Sequence, residues 1–150
     1  MEKTPEYVRA REKAIKCIMY KTRTSSEIYN KLIELEFAPE IISAVIRDLV
    51  ELDYINDERY VKKFIESEKK LKKTSKSMIK LKLKNKGIDS EIIDKYLLEF
   101  SDIEAIKKIL KKKNFNKEME YDEKNKIKAY CIRKGFSLSD FNKAEKEYEG

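Results

Sequence analysis

The chain has 150 residues, 42% charged and 41% hydrophobic, with three Gly, two Pro, two Cys, no His and a net charge of +7. That length suits one domain or a short row of small modules, and the scarcity of Gly and Pro excludes a sheet protein built on tight turns. Without histidine, Ser–His–Asp and Cys–His catalysis are impossible, and Cys17 and Cys131 are too few for a structural zinc site.

Residues 1–7 are expected to form a flexible N-terminus. The opening "MEKTPEYVRAREK" lacks the apolar segment of a secretory signal. No apolar run approaches the roughly 20 residues that span a bilayer. A soluble, cytoplasmic protein with two reduced, packed thiols is the expectation, with no membrane association. From there on, apolar residues recur at intervals of three and four, the helical period. Several helix starts are marked. "TSSE" (Thr24–Glu27) and "SDIE" (Ser101–Glu104) fit the capping box. Pro39 fits a first helical turn. Asn56 or Asp57 is placed to cap the helix beginning "ERYVKKFI", and Asp89 and Ser137 stand at similar thresholds.

The sequence is also similar to itself. Ile28, Ile79 and Ile127 align, as do Leu32, Leu83 and Cys131; Phe37, Ile88 and Phe136; and Ile42, Ile93 and Phe141. Val45, Tyr96 and Ala144 follow, then Leu49, Phe100 and Tyr148. Upstream, Ala14, Ile15, Ile18 and Met19 match Tyr60, Val61, Phe64 and Ile65, then Ala105, Ile106, Ile109 and Leu110. The fold expected is all-α: three tandem three-helix modules over residues 8–53, 54–101 and 102–150, forming an elongated, curved molecule. Gly87 and Gly135 occupy matching turns, where a helix C-terminus favours a left-handed residue. The first module has Glu36 there, at a cost of about 1 kcal/mol if the turn is unchanged. A looser turn is therefore expected in that module.

No GxxxxGK[ST] or GxGxxG is present, so no familiar phosphate-cradling loop exists. The closest acidic cluster is Asp53, Asp57 and Glu58, which reads as helix capping rather than as a metal site. No catalytic, cofactor or metal residues are assigned, and the chain is not expected to be an enzyme.

Charge points instead to binding. Residues 1–61 carry a net −2, residues 62–86 a net +9, and residues 87–150 a net zero, so one stretch supplies the whole excess. Its lysines Lys69, Lys70, Lys72, Lys73, Lys76, Lys80 and Lys84 are the candidate contacts to nucleic acid or to an acidic partner surface. Helical spacing groups Lys76, Lys80 and Lys84 on one face, away from Ile79 and Leu83. Like charges at i, i+4 repel by a few tenths of a kcal/mol, which a line of phosphates or carboxylates offsets. The alternative is a solvated helix face. A second basic cluster, Lys107, Lys108, Lys111, Lys112 and Lys113, lies at the corresponding helix end of the third module, and the two clusters are expected to be spaced apart. Tyr60 and Tyr96 align with core positions, while Tyr20, Tyr54, Tyr121 and Tyr130 are left unassigned as base-stacking platforms.

"ELDYINDERYVKKFIESEKK" followed by "IKLKLKNKGIDSEII" resembles RecX, the bacterial regulator family of the RecA recombinase. The family pattern Gly-Tyr-Leu-Asp-Asp-x-x-Phe-Ala is met here by Asp53, Tyr54, Ile55, Asn56, Asp57, Glu58, Arg59, Tyr60 and Val61. Its Ile-x-x-x-Leu-x-x-Lys-Gly-Ile is met by Ile79, Leu83, Lys86, Gly87 and Ile88. "YKTRTSSEIYNKL" is similar to Arg-x-x-Ser-x-x-Glu-Leu-x-x-Lys-Leu through Arg23, Glu27, Ile28, Lys31 and Leu32. The chain departs from the family at Thr74 and Ser75, and at Glu36 and Asp53, where the family favours glycine. The resemblance implies a monomeric regulator, mainly negative, of homologous recombination and DNA repair. It would bind along the groove of the RecA–single-stranded DNA filament and limit filament growth, ATP hydrolysis and strand exchange. The alternative is a freestanding helical DNA-binding protein with a recognition helix.

Overall fold

A computed structural model describes residues 3–71 and 74–148. Lys72 and Lys73 lie outside the described residues. Among those described, the chain is all helix: α1 (Pro5–Tyr20), α2 (Ser25–Glu34), α3 (Pro39–Glu51), α4 (Asp57–Leu71), α5 (Lys76–Asn85), α6 (Ser90–Leu97), α7 (Asp102–Lys112), α8 (Tyr121–Arg133) and α9 (Leu138–Glu147).

The helices begin where side chains meet orphan N–H groups. At α2, the Glu27 N–H donates to Thr24 Oγ1 at 3.1 Å, and the Thr24 N–H donates back to Glu27 Oε1 at 3.0 Å. Ser101 accepts from the Glu104 N–H at 3.2 Å, but Glu104 turns outward to Lys107, so only half of that box forms. Asn56, not Asp57, caps α4, taking the Arg59 N–H at 2.8 Å. Asp89 and Ser137 accept the N–H groups of Glu91 and Asp140, and Pro39 opens α3.

The helix ends follow one device. Glu36, Asp53, Gly87, Asn114 and Gly135 all have positive φ, at 67°, 62°, 82°, 55° and 96°. Each donates its N–H three residues back, and the next residue donates five back: Glu36 to Ile33 and Phe37 to Leu32, Gly87 to Lys84 and Ile88 to Leu83, Gly135 to Ile132 and Phe136 to Cys131. This is the left-handed C-terminal turn that satisfies free carbonyls. The turn at Glu36 is therefore the same as those at Gly87 and Gly135, and the looser turn expected from its side chain does not occur.

The chain divides into two compact units, Met1–Lys62 with Leu83–Ile92, and Lys63–Lys82 with Ile93–Gly150. In the first, Tyr7, Ala10 and Ala14 of α1 pack with Ile28, Leu32, Ile42 and Leu49. In the second, Ile106 and Leu110 of α7 pack with Ile127, Cys131, Phe141 and Ala144. The repeat-aligned sets Ile28/Ile79/Ile127, Leu32/Leu83/Cys131 and Ile42/Ile93/Phe141 are all buried. Met19 is not. It is 82% exposed, whereas its aligned residues Ile65 and Leu110 are buried. The buried stripe of α1 runs through Tyr7, Ala10 and Ala14, which rotates position 19 to the outer face. Tyr60 and Tyr96 are only half-buried, with the ammonium of Lys86 5.8 Å and of Lys95 5.2 Å from their rings. An aromatic with a polar tip can fill a core edge while keeping its hydroxyl wet.

Two equivalent joints connect successive modules. Within the first unit, the Ser25 N–H and Oγ–H donate to the Asp57 carboxylate at 2.8 and 2.6 Å, and Thr24 Oγ1–H donates to the Lys86 carbonyl at 2.8 Å. Within the second, the Lys76 N–H donates to Asp102 at 2.9 Å and Ser77 Oγ–H to the Gly135 carbonyl at 3.1 Å. Thr24 and Ser75, at the starts of α2 and α5, are fully buried. A Cβ on Gly87 would collide with Ser26, and one on Gly135 would lie 2.5 Å from Ser75 Oγ and Met78 Cγ. In both cases the α4 or α7 carboxylate also receives the positive end of a helix dipole.

Candidate nucleic-acid and partner interface

Helical spacing sets Lys76, Lys80 and Lys84 one turn apart in succession along α5. Their chemical states differ. Lys80 Nζ is 2.8 Å from Asp94 Oδ1. Lys76 is half-buried, and with Lys80, Asp94, Leu97 and Leu98 it lines a shallow depression of about 420 Å³ in the second unit. Lys84 is exposed, with no ion pair to any described residue. Lys69 and Lys70 occupy the exposed last turn of α4, where a helix C-terminus favours cations. Two further lysines of the same stretch are paired: Lys82 with Glu68 at 3.7 Å and Lys86 with Glu27 at 3.9 Å. The stretch that reads as +9 in sequence is thus partly neutralised by Asp94 and Glu27 from other helices, while Glu68 belongs to the stretch and is already counted in that sum.

The second cluster is divided too. Lys107 lies 3.3 Å from Glu104 and 3.5 Å from Glu147. Lys111 and Lys112 are exposed at the end of α7. Lys113 Nζ lies 4.0 Å from the centre of the Tyr130 ring, and Lys134 Nζ lies 5.4 Å from the same ring. That arrangement gives Tyr130 a role as a cation platform, and the sequence carried no signal for it beyond the density of lysines. Tyr20 and Tyr121 are exposed at 84% and 76%. Lys69 and Lys108, one from each cluster, line a common pocket of about 150 Å³ with Phe100, Ser101 and Glu104. The two clusters therefore meet at one point in the second unit, whereas the sequence placed them apart.

The remaining titratable groups are structural. The Asp53 carboxyl is held below the usual carboxylate range by its hydrogen bonds from Asn56 and Arg59, at 3.0 and 2.6 Å. Tyr7, buried, donates to Asp48, and that bond raises its phenol pKa. Burial pushes the Cys131 thiol up to about 11, which leaves it protonated and unreactive at neutral pH. Among the described residues, no group of three or more His, Cys, Asp or Glu is placed to hold a metal ion, and no helix is long and apolar enough to cross a membrane.

These features define an all-helical tandem-repeat protein whose modules are three-helix units joined by a repeated carboxylate contact. Domain models of RecX match it in chain order: the first three-helix domain over residues 10–49, the second over 56–97 and the third over 101–144. The chain belongs to the RecX family, a family of regulatory proteins. It is 35% identical to the regulatory protein RecX of Clostridium acetobutylicum over 94% of this chain and 69% of that protein. It is 32% identical to that of Caldanaerobacter subterraneus subsp. tengcongensis, covering 92% and 71%. Against the relatives from Streptococcus sanguinis and Bacillus pumilus it spans 52% and 55% of their length. The crystal structure of RecX from Lactobacillus salivarius superposes with a TM-score of 0.83 at 28% identity, covering 95% of this chain and 96% of that one.

Proposed function

We propose that this chain regulates, mainly negatively, a RecA-type recombinase by lying along the filament that the recombinase forms on single-stranded DNA. It limits filament growth, ATP hydrolysis and strand exchange by occupying a surface that the filament needs free. The observation that carries the reading is the match, in order, of all three RecX domains. The lysine distribution supports it. Lys69, Lys70 and Lys84 are exposed and without an ion pair to a described residue, so their charges are available to phosphates or acidic side chains. Lys72 and Lys73 continue the same run in sequence. The protein acts as a monomer in the cytoplasm, without a cofactor and without catalysis of its own.

The test is binding to bare single-stranded DNA beside binding to the recombinase filament, each across a range of salt. Weak binding to bare DNA with tight binding to the filament, and slowed ATP hydrolysis, is the expected result. Tight, salt-steep binding to bare DNA with no preference for the filament would replace this reading with that of a freestanding DNA-binding protein. Exchange of Lys69, Lys70 and Lys84 for Ala is expected to weaken binding without unfolding the chain. Each lost single-strand phosphate contact flattens the log–log salt slope by about 0.7.

A further inference from the structure

Residues 87–150 carry no net charge, but their charges are segregated. Residues 105–117 hold six bases and no acid, and residues 124–139 hold five bases and no acid. The fold brings these two runs together at one aromatic ring in the second unit. Lys113 caps the C-terminus of α7 and Lys134 that of α8, and their ammoniums lie 4.0 and 5.4 Å from the centre of the Tyr130 ring. Both lysines are exposed, and neither forms an ion pair with a described residue. Lys111, Lys112 and Arg133, in the last turns of the same two helices, are likewise exposed and unpaired among the described residues. The other end of the first run differs, since Lys107 is held by Glu104 and Glu147. Two helix C-termini supply about one negative charge between them, against five positive ones. The first-turn acids of α8, Asp122 and Glu123, lie about 15 Å along the helix from its end. That exceeds the screening length of about 8 Å at physiological salt. The excess is therefore unanswered among the described residues.

We propose that this patch is a single-strand nucleic-acid site of the third module, with Lys113 and Lys134 holding phosphates and Tyr130 offering its ring to a base. The inference deepens the proposed function by giving the chain its own contact to the strand, and its chemistry stands without a recombinase. A protein partner fits less well. The centre of a protein interface is depleted of charge and anchored by apolar side chains, whereas like charges around an aromatic ring are what single-strand grooves present. The electron-rich ring face holds the ammoniums close while no strand is bound. When a phosphate draws Lys113 away, the face it leaves is free for a base, and stacking tolerates any base.

Two measurements test it. In the first, the lysine ε-CH2 and Tyr130 ring resonances of the wild-type chain are followed by NMR at low salt, during separate titrations with a thymidine oligonucleotide and with polyglutamate. Saturable shifts at Lys113, Lys134 and Tyr130 with the oligonucleotide, larger than with polyglutamate, are expected. In the second, the salt dependence of binding to the same oligonucleotide is compared for wild type, the double variant Lys113→Gln with Lys134→Gln, Tyr130→Phe and Tyr130→Leu, with thermal melts to establish folding. The double lysine variant is expected to flatten the log–log slope by about 1.4, two phosphate contacts at about 0.7 each. Tyr130→Phe is expected to bind like wild type, and Tyr130→Leu at least about fivefold more weakly. Shifts that favour polyglutamate, an unchanged slope, or equal binding by the Phe and Leu variants would each overturn the proposal. Because both lysines are exposed, their variant stays informative even where Tyr130→Leu does not fold. No recombinase enters either measurement, so failure of the wild-type chain to bind the filament would sink the proposed function and leave this site standing.

Discussion

Glu36 and Gly87 share one backbone conformation, yet only one of them is glycine. Both sit at positive φ and close the same turn, so the conformation does not by itself demand glycine. The difference is what lies opposite. Gly87 faces Ser26 of the preceding module too closely for a Cβ, whereas Glu36 carries a Cβ in the same turn and is exposed. Glu36 therefore bears only the conformational cost. Its exchange to Gly is expected to stabilise the chain by about 1 kcal/mol, read as a raised urea midpoint with unchanged slope. Gly87→Ala is expected to cost more than that, because strain and collision add, and Ser26→Gly in the same chain is expected to restore part of the loss. An equal effect of Gly87→Ala with and without Ser26→Gly would mean that the close approach carries no energy. Such a distinction was half legible in the sequence. Alignment of Glu36 with Gly87 and Gly135 located the turn, but only the packing of Gly87 on Ser26 explains why one member of the set is free to vary.

At the scale of the element, the repeated joint is a carboxylate at the start of one helix holding the first N–H of another. Asp57 accepts from both the backbone and the hydroxyl of Ser25, and Asp102 accepts from the Lys76 backbone. The two aspartates stand at the same 45-residue offset as Val61 and Ile106, so the repeat contained the clue. What it could not convey is that Asp57 serves a neighbouring helix while Asn56 caps its own, because local patterns reveal only local partners. Asp57→Ala is expected to cost about 2 kcal/mol by orphaning two donors, and adding Ser25→Ala is expected to cost little more, since both changes break the same contact. The Asp102 joint differs in its response to pH. Burial, with the Asp140 charge adding and the Lys76 N–H opposing, raises the Asp102 carboxyl above its ordinary 3.8. The charged form is thus the disfavoured one in the folded chain. Its contribution to stability is fully present below pH 3.8 and is lost as pH rises through the raised value. Asp102→Asn keeps an oxygen for the Lys76 N–H and has no proton to lose. Its melting temperature relative to wild type is expected to climb with pH across that window and then level off; parallel curves would show that Asp102 titrates normally.

For the whole molecule, the decisive quantity is how many of the lysines between residues 62 and 86 keep an unopposed charge. The sequence located the basic stretch because charge runs are visible in one dimension. It overstated the strength of that stretch because Asp94 and Glu27, from outside it, approach Lys80 and Lys86. Lys80 is the informative case. Its partner Asp94 is more than half exposed, at 2.8 Å, so the pair contributes at most about 1 kcal/mol to stability. A row of phosphates along α5 would compete with Asp94 for the same ammonium. Asp94→Asn removes that competitor while leaving every lysine in place. If α5 lies against single-stranded DNA within the filament, Asp94→Asn is expected to raise affinity at low salt and steepen the log–log salt slope by up to about 0.7, one phosphate's worth of released counterion. Lys80→Ala is expected to erase the gain, and the double variant to bind like Lys80→Ala alone. If instead α5 faces solvent, neither substitution moves the slope, and the basic stretch is a wet helix face whose charge the protein balances within itself.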